Sequence, residues 1–183
     1  MAPRKGGRLR PDGVQVNWAV TFPVGEDGGR ASRGRLPFWC HDEPVTARDL
    51  RVPITEERVG HSSGVVGVLG VSVVVRDLEL LEDTRKSFAT IFGQEGEGEG
   101  EGAKDVVFET RRVRDVEGLE RGARVVLRVA REEEASRVKE RGFWYGDVVF
   151  AAKAGDGRQA GERVRIDAET GDDWLGGLWV EYV

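Results

Sequence analysis

The chain has little of what sharp functional motifs are made from. Among its 183 residues there is one cysteine, Cys40, and there are two histidines, His41 and His61. A single cysteine excludes an intramolecular disulfide, so the fold does not depend on an oxidising compartment. Long hydrophobic runs are missing as well. The longest, Gly64 to Val75, is about 12 residues of mostly glycine and valine, too short to cross a bilayer. The first residues, MAPRKGGRLR, are basic with no apolar core, which is not the pattern of a secretory signal. These absences predict a cytoplasmic protein with no membrane partner. Positive charge is also scarce: 28 Lys and Arg stand against 33 Asp and Glu, for a net charge of −5. Nucleic-acid binders usually carry a basic balance or patch. Only residues 1–10 are basic here, and they read as a flexible terminus, so no nucleic-acid partner is expected. The glycines of GVVGVLG are followed by no Lys-Ser or Lys-Thr pair and by no immediate helix, which excludes a phosphate loop.

What is present is enough for one domain. Charged residues make up 33% and hydrophobic residues 39%, a mixed-sign composition that does not look disordered throughout. In Val14 to Pro23, Val14, Val16, Trp18, Val20 and Phe22 alternate with smaller or polar residues, the signature of a half-buried strand. A glycine-rich loop follows, then a short strand over Leu36 to Asp42 and a charged connector over Glu43 to Gly60. The valines of Gly64 to Asp77 favour a strand. Asp77 opens a helix with Leu80, Leu81, Thr84, Phe88, Ile91 and Phe92 near helical spacing, and Gly93 ends it. Glu95 to Gly102, EGEGEGEG, reads as a solvated acidic loop within residues 94–103. Strands are predicted over Asp105 to Val113, Ala123 to Arg131 and Phe143 to Lys153, with a helix over Glu132 to Gly142 whose acidic start and basic end suit the helix dipole. GERVRIDAE and WLGGLWVEYV give two last strands. This order predicts an α+β fold with a mixed or antiparallel sheet and helices on one face.

Three segments carry a family likeness. RLRPDGVQVNWAVTFP, then GRLPFWCHD, then HSSGVVGVLGVSVVVRD, together about Gly7 to Asp77, resemble the glyoxalase-like domain of the vicinal oxygen chelate superfamily. Beyond Asp77 the likeness is one of element order, the βαβββ module. That superfamily builds a cup from two such modules. The resemblance implies that residues 11–60 are the end of a first module plus a connector, and that residues 61–183 are a complete second module. An incomplete first module exposes apolar sheet, and such patches tend to be covered by a partner. The chain is then expected to be a fragment, a truncated product, or one half of a homodimer.

The resemblance also implies a divalent metal inside the cup, acting as a Lewis acid on a chelating substrate oxygen. Its ligands would be His, Glu or Gln on the first and last strands of a module. The matching positions are His61, before the Gly64 strand, and Glu181, in the last strand, with His41 as a further candidate. Each has a plainer reading: His61 as a turn residue bonded to backbone, His41 as a strand-end residue beside Asp42, Glu181 as a surface acid. Strand alternation puts Trp179 and Glu181 on one face, with Val180 and Tyr182 on the other. It also points Cys40 and His41 to opposite faces, which makes them a poor nucleophile–base pair. No catalytic residue is assigned. Trp18, Trp39, Trp144, Trp174 and Trp179 are core residues or the lining of a small-molecule pocket. Three functions follow: a small-molecule binding module, a metal-dependent lyase, isomerase or dioxygenase, and a non-catalytic interaction domain. The scarcity of histidine favours the first and third.

Overall fold

The computed structural model describes residues 3–23, 33–44, 62–98, 105–111, 119, 121–155, 157–167 and 176–183. The chain divides into two compact units, Met1–His61 and Ser62–Val183.

The first unit holds a three-stranded antiparallel sheet of β1 (Arg4–Leu9), β2 (Gln15–Thr21) and β3 (Trp39–Glu43), with β2 in the middle. The basic N-terminus, expected to be flexible, is therefore a strand from Arg4 onward. Its register pairs Arg4 with Val20, Gly6 with Trp18 and Leu9 with Gln15. Gly6 makes this possible. A Cβ there would lie 2.7 Å from the Trp18 indole nitrogen, so only a glycine lets the indole lie against the edge strand. A charged segment thus acquires order from a ring 12 positions along the chain, which no local pattern reveals. β3 starts at Trp39 rather than Leu36, in keeping with Pro37, which has no N–H to give to a ladder.

The second unit is α+β. Its elements are β4 (Val65–Val75), α1 (Leu78–Phe92), β5 (Glu97–Gly98), β6 (Asp105–Glu109), β7 (Arg124–Val129), a 3₁₀ turn Glu132–Glu134 running into α2 (Ala135–Val138), β8 (Phe143–Ala152), β9 (Arg163–Arg165) and β10 (Leu178–Tyr182). They form one mixed sheet in the order β5-β6-β7-β4-β8-β10-β9. β4 runs parallel to β7 and antiparallel to β8, while β10 is parallel to β8. The expected strand, helix and further strands are all there, and the helix expected over Glu132 to Gly142 is present in shortened form, as the 3₁₀ turn and α2 before β8. From β4 to β8, the parallel strands β4 and β7 lie side by side at the centre, flanked by β6 and β8, which run antiparallel to them.

Local chemistry accounts for α1. Asp77 caps it by accepting the Leu80 N–H at 2.8 Å, which holds the Asp77 carboxyl below its ordinary range together with the neighbouring Arg76 guanidinium. Gly93 ends it with a left-handed φ of 66°, a conformation that costs other residues more. Leu81, Thr84 and Phe88 form its buried face. Phe88 and Phe92 pack on Phe108 of β6, with ring centroids 5.8 and 5.6 Å away. The register then places Phe108, Val106, Val125, Leu127, Val71 and Val73 on the side of the sheet that faces α1. Phe108 and Leu127 are fully buried there.

The described part of the acidic glycine-rich loop is structured. Glu97 and Gly98 pair with Val107 and Val106. The preceding Gly96 sits so close to Phe108 that a Cβ would come within 2.8 Å of its ring, and the Gln94 side chain donates to the Glu109 carbonyl at 2.7 Å. Burial of Phe108 beneath glycine outweighs the repulsion of the carboxylates in this stretch. Among the described residues no helix is long and apolar enough to cross a membrane.

Candidate functional site

The other side of the second unit's sheet carries the chemistry. Residues paired across strands share a face, so Val74 lies with Arg128 and Trp144, Gly70 with Arg124 and Val149, and Val149 with Trp179 and Arg165. Ala151, Glu181 and Arg163 complete the same side. This face, away from α1, is where polar and aromatic side chains concentrate. Trp179 and Glu181 do share it.

β8 is irregular where this face is most polar. Its register on β4 shifts between Val71 and Val73, so that Gly146 and Asp147 together stand opposite Ser72. Such a bulge aims an extra side chain at one face. A Cβ on Gly146 would point at Ser72 and Val74, and Asp147 turns toward β10. Its Oδ1 accepts from the Trp179 indole Nε1 and from the Gly177 N–H, both at 2.9 Å. Its Oδ2 accepts from Arg163 at 3.4 Å. The Arg163 guanidinium lies 4.6 Å from the centre of the Trp179 ring, and that of Arg165 lies 5.8 Å from it. Arg165 is held differently, by two hydrogen bonds to Asp167 at 3.0 and 3.2 Å, and this guanidinium keeps the Asp167 carboxyl below its ordinary range. Asp167 also accepts the Leu178 N–H at 2.9 Å. The start of β10 is thus fixed from both sides. Gly176 reinforces this: a Cβ there would sit 2.2 Å from the Gly146 carbonyl carbon, so backbone lies directly on backbone.

At the other end of the face, Arg128 and Glu134 form a two-pronged ion pair with both bonds at 2.5 Å, and Glu134 also accepts the Arg131 N–H at 2.8 Å. Glu134 is buried, at 7% exposure. The Arg128 guanidinium holds its carboxyl below the ordinary range against the cost of burial.

Of the three expected metal ligands, the structure describes His41 and Glu181, each in its own unit. His61 lies outside the described residues, as does Trp174. His41 is exposed on β3 in the first unit, paired with Ala19, while Cys40 is paired with Val20 on the opposite face. Glu181 is half-buried on the face away from α1, but its Oε1 accepts from Arg121 at 3.4 Å. A cation site needs several donors whose charge is not already answered. Among the described residues no group of three or more His, Cys, Asp or Glu stands close enough to hold a metal ion. The described donor set therefore does not fit the implied metal, and no step through one is derived.

Asp147, Arg163 and Arg165 carry the polar cluster at the β9 edge of this face and have no motif in the sequence. One signal did exist. A Gly-Asp pair inside an otherwise apolar strand marks a bulge, and FWYGDVVFAAK contains it.

No family model matches the chain, and no curated protein matches it. Among solved structures, methylmalonyl-CoA epimerase from Mycobacterium tuberculosis is similar at 17% identity and a TM-score of 0.37, over 67% of this chain and 93% of that one. At that score the likeness carries nothing about activity.

Proposed function

We propose that the protein is a small-molecule binding module whose ligand rests on the face of the second unit's sheet away from α1. One observation carries this reading: the Gly146–Asp147 bulge turns a carboxylate onto that face and fixes the Trp179 indole there with a direct hydrogen bond. A sheet face that only met solvent would carry polar residues alone. Instead, two tryptophans, Trp144 and Trp179, share it with Arg163, Arg165, Asp147 and Glu181. Binding sites commonly combine aromatic surface with a few placed polar groups. The glyoxalase-like resemblance of the sequence agrees with a ligand on this side of a module.

The test is a thermal-shift screen of neutral, cationic and anionic small molecules, followed by tryptophan fluorescence titration of the hits. Saturable quenching that is lost in the Trp179→Leu variant is expected. A broad screen with no saturable ligand would end this reading and leave an interaction domain.

A further inference from the structure

We infer that Trp179 and Arg163 form the contact point for a planar anion, such as an aromatic or enolic carboxylate, on this face. The inference rests on the proposed binding role and narrows it to a ligand class.

Arg163 differs from its neighbours in how its donors are used. Glu134 takes two short bonds from Arg128, and Asp167 takes two from Arg165. Among the described residues Arg163 has one long hydrogen bond, 3.4 Å to Asp147, and its side chain is 39% exposed. A guanidinium carries five N–H donors in a planar fork matched to a carboxylate. The counter-ion facing Arg163 is already served by others, since Asp147 Oδ1 holds two N–H groups at 2.9 Å. An incoming carboxylate therefore meets a cation with spare donors and an acid whose charge is largely answered.

Planarity follows from Trp179. Its ring edge is fixed through Nε1, its position on β10 is locked by pairing with Val149 and Arg165, and a guanidinium sits over it at 4.6 Å. A flat ligand can lie beside that guanidinium on the indole while its carboxylate takes the free prongs of the fork. Stacking and charge-assisted bonds then act together. Glu181 lies beyond, paired with Arg163 of β9 and bonded to Arg121.

The test uses the whole chain and three probes of similar size: benzoate, its neutral analogue benzamide, and non-planar cyclohexanecarboxylate. Isothermal titration is expected to rank benzoate first. Arg163→Gln should weaken benzoate by about tenfold or more, the loss expected for a hydrogen bond to a charged group, and Trp179→Leu should weaken it similarly. Arg85→Gln, on α1, serves as the control. Arg163 is exposed enough that its variant should melt with the parent, which separates binding from folding. Benzoate affinity unchanged in Arg163→Gln overturns the inference, as does benzamide binding equal to benzoate. If none of the three probes binds while other compounds in the broad screen do, the anion inference fails and the binding role stands.

Discussion

Asp147 accepts a hydrogen bond from the indole of Trp179 across 32 positions of sequence, at 2.9 Å, and the same oxygen receives the backbone N–H of Gly177. One carboxylate therefore ties the bulge in β8 to the start of β10. Asp147→Ala removes the acceptor from two donors at once. Leaving such groups unsatisfied costs about 1–3 kcal/mol, so the urea midpoint should fall while the slope stays constant. Asp147→Asn keeps one oxygen and should recover much of the loss. Equal stability of the alanine variant and the parent would show that the bond does not organise this edge.

Gly176 makes a stronger demand. A methyl group there meets the Gly146 backbone at 2.2 Å, whereas one at Gly67 meets nothing within 4 Å. Gly176→Ala should cost about 3 kcal/mol, the upper end for overpacking. Gly67→Ala should stay close to the parent. Comparison of the two by thermal melting isolates the backbone approach from glycine's general flexibility.

The parts of the fold written in local pattern were legible. Alternation marked β2, valine density marked β4, and Asp77 and Gly93 bracketed α1, because capping and periodicity act over a few residues. β1 was not legible, since RKGGRL has no apolar alternation and is held by Trp18 from the neighbouring strand. Glu97 and Gly98 were hidden in the same way, by the burial of Phe108 beside Gly96. The site divides along this line too. The shared face of Trp179 and Glu181 follows from strand period. Asp147 and Arg163 reach that face only through a register shift and a pairing between distant strands, neither of which leaves a periodic trace.

The Arg128–Glu134 pair makes stability depend on acid. Arg128 holds the Glu134 carboxyl below its ordinary value of 4.5, so the folded state binds this proton less readily than the unfolded chain. The pair's contribution is fully present above pH 4.5 and is lost as the pH falls through the lower folded value. Glu134→Gln should remove this group's share of the acid sensitivity. At neutral pH it should cost about 3 kcal/mol, as expected when one partner of a buried pair is removed. Urea titrations of parent and variant at pH 7, 4.5 and 3 would check it. Parallel pH profiles for the two proteins would show that another group governs the acid transition.

A metal would declare itself in stability. A ligand at a hundred times its dissociation constant stabilises a fold by about 2.7 kcal/mol, which for a chain of this length is a rise of about 5–10 °C in melting temperature. With the Glu181 carboxylate bonded to Arg121 and His41 exposed in the first unit, melts with Zn²⁺, Ni²⁺, Mn²⁺ and Mg²⁺ should match the melt with chelator. A rise of that size with one metal would instead favour a metal-dependent enzyme. The variants His61→Ala, His41→Ala and Glu181→Gln would then find the donors, because only the loss of a true ligand abolishes the rise. Glu181→Gln carries a second reading without metal. It releases Arg121 from its partner, a partly exposed exchange worth about 1 kcal/mol or less, so a larger loss of stability in metal-free buffer would mean that this carboxylate supports the face in a way its ion pair with Arg121 does not explain.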